Sequence, residues 1–529
     1  MPLFVSNLLL LDGWRRLAAA FIAGIIASFA QDPFGWFPLL WLSMPLLVWL
    51  LDSAALGQNT KRAAFAMARV GWMFGFGFFL CTFYWLGAAF LVEADKFAWA
   101  MPLAVVILPA GLALFWCVAA GVSALVWSTS PLRIVWLALL LAVAEYLRGT
   151  LFTGLPWGGF GPALASSGVL MQALSLVGPN TLSLFSVLLF ALPVCLFQED
   201  RFKVLGRMMV VLVLTVFVAQ VAFGFYRSNL PTELAEDAPV VRLVQPNIPQ
   251  TEKWKFENRS WIFNRLLALT SLDTEEHPLD AIDMVIWPES AVPFFLMEQS
   301  GALTAIKSSL PAGAGLLTGA LRRNPDSPRT DEIYNSIYQL GPDGTILQAY
   351  DKVHLVPFGE YLPMQPLLDK LGLEQLTAQK IGFKVGTKRT LLDNPKLGKL
   401  LPLICYEIAF SSDILSFPKS ADLIINVTND AWFGKTIGPS QHLHIARMRA
   451  VETGLPVLRV ANTGISAVID ARGKVEKQLE LGAEGLIQTH VPLKLSATPY
   501  ARFGNWIFFA VCVLLILTTA SISRKFGKD

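Results

Sequence analysis

Charge is scarce in this chain: of 529 residues, 15% are Asp, Glu, Lys or Arg, against 54% hydrophobic. That balance is too apolar for an ordinary soluble protein. The net charge is only +3, the basic residues are scattered, and there is no polybasic patch, which argues against a nucleic-acid partner. Internal repeats and low-complexity tracts are also missing. Cysteine is sparse: of the five, Cys81, Cys117, Cys195 and Cys512 fall in apolar stretches, where a thiol is a small packing group.

What is there in abundance is long apolar runs, clustered rather than periodic, which is the pattern of a polytopic membrane protein. Stretches long enough to cross about 30 Å of hydrocarbon run from Trp14 to Ala30, Trp36 to Leu51, Val70 to Val92, Phe97 to Trp127, Ile134 to Leu147, Val169 to Phe197, Val204 to Phe225 and Trp506 to Ile522. The first, second and fifth are short, so tilt or bending is expected there. Arg15 and Arg16 precede a run ending in the small-x-small pattern Ser28-Phe29-Ala30, but seven further spans favour a retained helix over a cleaved signal.

Lys and Arg collect on the cytoplasmic side of a membrane. Here they alternate: Arg15 and Arg16 before span one, Lys61, Arg62 and Arg69 after span two, Arg133 after span four, Arg201, Lys203 and Arg207 after span six, Arg524, Lys525 and Lys528 after span eight. The expected organisation is therefore a seven-helix region over 1–225, an extracytoplasmic domain over 226–505, and an eighth helix with a cytoplasmic C-terminus over 506–529. On the outer side lies the loop Gly154 to Gly161, which reads equally as a lipid doorway or as a tight interfacial turn. Glu145 and Arg148 nearby read as an ion pair rather than a proton relay.

From Val240 onward the pattern changes to short β-rich runs: Val240 to Gln245, Met284 to Trp287, Gly315 to Gly319, Ser336 to Leu340, Leu400 to Cys405, Leu423 to Val427, Val457 to Ala461 and Ala467 to Ile469. Arg259 to Leu272 and Ser440 to Thr453 read as helices, giving one α/β domain. Glu289 follows Val285 to Pro288, Lys352 follows the further run Ile346 to Tyr350 and Cys405 follows Leu400 to Ile404, and strand ends are where α/β sheets display functional side chains. Cys405 has no cysteine within its domain to pair with. The thiolate, not the thiol, is the nucleophile; a carboxylate removes its proton and an ammonium favours the charged sulfur and an oxyanion. Glu289 fits the base, Lys352 the electrostatic stabiliser and Cys405 the nucleophile.

The stretches Trp287-Pro288-Glu289, Lys352-Val353-His354-Leu355-Val356-Pro357-Phe358-Gly359-Glu360-Tyr361-Leu362-Pro363, Cys405-Tyr406-Glu407 and Asn429-Asp430-Ala431-Trp432-Phe433-Gly434 resemble the signatures of the apolipoprotein N-acyltransferase family. The resemblance implies eight transmembrane helices carrying a nitrilase-like αββα domain with Glu289, Lys352 and Cys405 as its triad. It implies Glu360 as a second acid near the nucleophile, Tyr406 and Glu407 as residues shaping the site, and Trp254 and Trp432 as aromatics on lipid-handling loops. It also implies the reaction: a phospholipid acyl donor, a thioester on Cys405, the α-amine of a diacylglyceryl-cysteine lipoprotein as acceptor, a bacterial inner-membrane location with the catalytic domain facing the periplasm, and no cofactor. His442 and His444, two apart on a helix, face apart and make a poor metal pair; His354 reads as a structural hydrogen-bonding residue. Two rival readings are a membrane-tethered nitrilase-like amidase, with water as acceptor, and a transporter with an accessory domain, which the few ionisable residues in mid-span disfavour.

Overall fold

The computed structural model describes residues 3–197, 199–231, 237–324, 332–361 and 382–526. Leu362 and Pro363, which end the longest motif, lie outside these residues, as do 325–331.

Every expected span has a helical counterpart: Gly13–Ser28, Leu40–Ala55, Thr60–Phe83, Met101–Ser123, Leu132–Arg148, Leu174–Ala191, Lys203–Ser228 and Trp506–Phe526. Among the described residues, six helical stretches are long and apolar enough to cross a membrane, and the helices of spans one and five, at 16 and 17 residues, fall short. The third helix begins ten residues before the expected Val70. The Asn59 side chain accepts from the Arg62 amide and caps it at Thr60, so charged Lys61, Arg62 and Arg69 ride on helix that hydropathy reads as loop. The sixth is broken at Gly178 (φ 72°) before Pro179, where a Cβ would lie 2.0 Å from the Tyr500 ring.

Small residues let the first and third of these helices touch backbone to backbone. A Cβ on Gly24 would lie 2.0 Å from the Phe74 carbonyl oxygen, and one on Gly77 2.2 Å from that of Phe21, the close approach that glycine permits between membrane helices. The Glu145–Arg148 pair is present at 2.8 Å and is buried. Its guanidinium donates to the carbonyls of Leu155 (2.5 Å), Trp157 (3.0 Å) and Gly158 (2.7 Å), while Gln31 donates to that of Gly159 at 2.9 Å. These hydrogen bonds tie the loop Gly154 to Gly161 to Arg148 and Gln31.

The chain divides into two compact units. One comprises Met1–Tyr84, Pro102–Leu230 and Thr498–Asp529; the other comprises Trp85–Met101 and Pro231–Ala497. Among the described residues, the second holds twelve strands: β1 Val240–Gln245, β2 Met284–Ile286, β3 Gly315–Arg323, β4 Ile333–Leu340, β5 Ile346–Asp351, β6 Leu392–Asn394, β7 Gly398–Ile404, β8 Leu423–Thr428, β9 Val457–Ala461, β10 Ser466–Ile469, β11 Val475–Leu479 and β12 Gly485–His490. They form two six-stranded sheets, ordered β12-β1-β2-β3-β4-β5 and β11-β10-β9-β8-β7-β6. The central pairs β1–β2, β2–β3, β7–β8 and β8–β9 are parallel.

Alternation along each strand sorts the two cores. Val241, Leu243, Met284, Ile286 and Leu317 meet Leu400, Ile404, Ile425, Val427 and Leu458 between the sheets. Val244, Val285, Trp287 and Leu316 point the other way, onto Leu266 and Ile306 of the helices Arg259–Thr270 and Ser300–Ser309. Helix Gly438–Thr453 packs on β9 of the second sheet. Each sheet is thus buried on both faces, as parallel strands require.

Candidate active site

The three strand ends converge. Beyond β2, the turn Pro288-Glu289 passes so near β3 that a Cβ on Gly319 would lie 2.5 Å from the Pro288 carbonyl oxygen and 2.6 Å from the Glu289 Cα. Beyond β5, the Lys352 amide donates to the Asn335 carbonyl at 2.9 Å, continuing the β4–β5 ladder by one residue and turning the side chain into the interior, where it is 1% exposed. Beyond β7, Cys405 takes φ 50° and opens a 3-10 turn to Ala409. A left-handed conformation costs a side-chain-bearing residue about 1–3 kcal/mol and persists where surrounding contacts hold it.

Those contacts are specific. Glu407 is fully buried and accepts at one oxygen from the Ile404 amide (2.8 Å). Its other oxygen accepts from the amides of Val353 (2.9 Å) and His354 (3.1 Å), the Tyr350 hydroxyl (2.8 Å) and Arg389 (3.0 Å). One carboxylate therefore ties the residues following Lys352 in the first sheet to the residue preceding Cys405 in the second. On the far side, Nε2 of His442 lies 3.2 Å from the Cys405 carbonyl oxygen and Nδ1 lies 2.9 Å from Asp430 Oδ1. Asp430 is paired with Arg459 at 2.6 Å, and Arg459 donates to Asn426 at 2.6 Å.

Around the nucleophile the charges are arranged as follows. Lys352 Nζ lies 2.9 Å from Glu360 Oε1 and 3.6 Å from Glu289 Oε1. Burial on its own would lower the lysine's pKa; the Glu360 and Glu289 carboxylates outweigh it and raise it, so the ammonium stays charged. Burial pushes the Cys405 thiol up, the Glu289 charge pushes the same way and Lys352 opposes, so sulfur rests as the thiol and needs a base at the moment of attack. Burial would raise the Asp430 pKa, but Arg459 and His442 hold it well below the usual carboxylate range. Burial and Arg459 lower that of His442.

Cys405, Asp430 and His442 bring three metal-ligand atoms within 4.8 Å of one another. Asp430 is already neutralised by Arg459, and a carbonyl can only accept, so Nε2 of His442 carries a proton toward Cys405. That donor set is a hydrogen-bonded support for the cysteine turn, with the guanidinium where a cation would sit.

The remaining expected residues flank this centre. Tyr406 packs edge-on against Phe410 (ring centroids 4.9 Å apart) and faces His354 at 5.9 Å; His354 stacks on Phe410 at 3.5 Å and lies 3.5 Å from Asp413. Trp254 and Trp432 are half-buried on separate loops, Trp254 with the Lys253 ammonium 5.9 Å from its ring centroid, Trp432 in the turn Asp430–Phe433.

Sequence reasoning missed Asn335, Lys253 and the joint role of Asp430, His442 and Arg459. Asn335 donates from Nδ2 to Glu289 Oε1 at 2.7 Å and to Glu360 Oε1 at 3.1 Å; it sits inside β4, where nothing local marks it. Lys253 is 2% exposed, donates to the Glu289 carbonyl at 3.2 Å, and has a pKa lowered to about 8 by burial, against the opposing charge of Glu289; its place beside Trp254 was the available signal. The support formed by Asp430, His442 and Arg459 begins inside a recognised motif, but its partners are distant in sequence.

The carbon-nitrogen hydrolase model matches residues 240–499, and the model of the apolipoprotein N-acyltransferase N-terminal domain matches residues 23–192. The apolipoprotein N-acyltransferase of Rhodopseudomonas palustris is 42% identical over 98% of this chain and 97% of its own. That of Sinorhizobium fredii is 41% identical over 99% of each, and that of Brucella melitensis 41% identical over 98% of this chain and 97% of its own. Among solved structures, an amidase of the nitrilase superfamily from Nesterenkonia covers 52% of this chain and 98% of its own at 16% identity, with a TM-score of 0.36. With both regional models matched and relatives above 40% identity along nearly its whole length, this chain belongs to the apolipoprotein N-acyltransferase family.

Proposed function

We propose that this chain moves a fatty acyl group from a membrane phospholipid to the α-amine of the N-terminal diacylglyceryl-cysteine of lipoproteins, by way of a thioester on Cys405. The observation that carries this reading is the meeting of a buried thiol with a carboxylate and a charged ammonium at three strand ends.

In the first half-reaction Glu289 accepts the thiol proton as sulfur attacks the ester carbonyl. Lys352, kept charged by Glu360, stabilises the developing negative charge. The C–O bond breaks, Glu289 returns the proton to the departing glycerol oxygen, and lysophospholipid leaves; the resemblance favours the first glycerol position. In the second, the lipoprotein amine attacks the thioester and gives its proton to Glu289; the C–S bond breaks, Glu289 passes that proton to the departing sulfur, and the amide and the free thiol result. Glu289, Lys352 and Cys405 act on the reacting atoms. Glu360, Tyr406 and Glu407 support them, and Trp254 and Trp432 contact lipid.

The same reading has eight spans in the bacterial inner membrane, with the two short helices crossing at a thinner or locally adapted position, and the domain over 226–505 on the periplasmic face. Both support a substrate that never leaves the bilayer. Intact mass of protein given acyl-labelled phospholipid without acceptor tests it. One added acyl group is expected, released by neutral hydroxylamine or a diacylated lipopeptide and missing in Cys405→Ala. An unacylated enzyme that still modifies the lipopeptide overturns the thioester route, and an acyl group that water removes as fast as the peptide does favours an amidase.

A further inference from the structure

Two carboxylates, Glu289 and Glu360, face one lysine and one amide, and chemistry needs them to behave differently. One must take up and release a proton; the other must stay ionised to hold Lys352 charged. Both are 7% exposed, and Oε1 of each faces Asn335 and Lys352. The difference lies in how their oxygens are satisfied.

Glu360 is saturated. Its Oε1 accepts from Lys352 Nζ (2.9 Å) and Asn335 Nδ2 (3.1 Å), and its Oε2 from the Val356 amide (2.8 Å). A proton placed on it would displace one of these donors. Glu289 accepts one side-chain hydrogen bond, from Asn335 Nδ2 to Oε1 at 2.7 Å; Lys352 stands off at 3.6 Å. Among the described residues no donor reaches Oε2 of Glu289. The orientation of the Asn335 amide follows from its surroundings: two carboxylates can only accept, so the NH₂ edge faces both, and its Oδ1 is buried with no partner among the described residues. A buried carbonyl left unpaired is costly, and the two contacts of the NH₂ edge with carboxylates offset that cost. The asparagine is itself 2% exposed and is anchored through its carbonyl to the Lys352 amide at 2.9 Å.

We infer that Asn335 is a positioning residue that assigns the proton: by occupying Oε1 of both acids it leaves Oε2 of Glu289 as the one oxygen of the four open to take the proton from Cys405. The S–H proton passes to Glu289 Oε2 as the S–C bond forms, and from there to the departing alcohol oxygen as C–O breaks. Glu360 carries none at any stage. This rests on the triad reading above and adds to it a residue, an oxygen and a division of labour.

The charged and titratable groups facing Glu289 are Lys352, Glu360, Lys253 and Cys405. Removing the Asn335 donor takes away the side-chain hydrogen bond of Glu289 while Glu360 keeps Lys352 and Val356. Glu289 then faces Glu360 without the Asn335 donor between them.

The test reads thiol reactivity rather than lipid transfer. The full-length protein is alkylated with iodoacetamide from pH 5 to 9, and the rate is followed by mass on the peptide containing Cys405. In Asn335→Ala and in the isosteric Asn335→Asp the acid limb of the rate profile should move up by about one pH unit or more, the scale of a lost charge-assisted hydrogen bond, with the plateau at higher pH preserved. Asn335→Asp keeps the volume, so a folding failure of the alanine variant leaves the question answerable. A uniform fall in rate with the limb unmoved, in whichever variant folds, overturns the assignment. Glu289→Gln in parallel separates the two levels: a wild-type profile there sinks the triad reading, whereas a slowed Glu289→Gln with an unmoved Asn335→Asp sinks only the role of the asparagine.

Discussion

The imidazole of His442 reaches the carbonyl of Cys405 at 3.2 Å, and its other nitrogen stands 2.9 Å from Asp430. That hydrogen bond holds the one peptide that must stay in a left-handed turn for the sulfur to be presented. His442→Ala should leave the Cys405 carbonyl short of its donor. Losing that buried hydrogen bond, about 1–3 kcal/mol, predicts single-turnover acylation of Cys405 slowed roughly ten- to hundredfold, with a lower melting temperature. His442→Gln, which retains an N–H donor, should recover part of both. Unchanged acylation in His442→Ala would mean that the turn holds itself.

Lys352→Met and Glu289→Gln keep approximate size and remove charge. Each should lower transfer to a diacylated lipopeptide by about a hundredfold or more, the usual scale for an acid–base or oxyanion group. Near-normal turnover in a folded variant would take that residue out of the mechanism.

Lys253 makes the fold sensitive to alkaline pH in a direction that can be worked out. Its folded pKa is lowered from 10.5 to about 8 by burial, so between those values the unfolded chain binds the proton more tightly than the folded one. Stability therefore rises as pH goes from about 8 to about 10.5 and is flat below that window as far as this group is concerned. Lys253→Met should flatten the rise and increase the melting temperature at pH 7. Melting curves of the two proteins across pH 7–10.5 decide it, and parallel curves refute it.

The alternation of basic loops predicts the orientation. A periplasm-active reporter fused after Arg227 should be active, one at the C-terminus inactive, and a cytoplasm-active reporter should give the reverse. Activity of the latter after Arg227 would reverse the placement of the domain and remove the basis for a lipoprotein substrate.

The ends of β2 and β7 were legible because each is a short apolar run closed by a polar residue of distinctive chemistry, and that of β5, an edge strand, because the run Ile346 to Tyr350 leads to Lys352. The strands that escaped notice, β6, β11 and β12, are all edges of their sheets. An edge strand buries less and carries alternating polar groups, as in Val475-Glu476-Lys477-Gln478-Leu479, so it lacks the apolar signature of a central strand. Helix ends were misplaced for a related reason: the start of Thr60–Phe83 is set by an Asn59 cap and not by hydropathy. Asn335 and Arg459 were invisible because what defines them is a partner far along the chain, and residue type alone carries no trace of it. Glu407 was recognised as belonging to the site, but its place inside the sandwich wall, joining the neighbours of Lys352 and Cys405, needed coordinates.

The second unit is discontinuous. It takes in Trp85–Met101, a segment that precedes the rest of it by more than a hundred residues. Trp85 lies buried with its ring 4.5 Å from that of Phe433 and its indole N–H on Gln441 at 3.1 Å, a sequence separation of 356. During synthesis this segment emerges long before the strands it will pack on exist. Closing so long a loop is a late event, since its entropy cost must be met before the contact rewards it. The stretch 430–441, which begins at Asp430 and ends beside His442, is covered only once that loop has closed. A fragment beginning at Pro231 would lack Trp85, and should form its sheets yet leave Phe433 and Gly438 uncovered, with the support of Cys405 loosened.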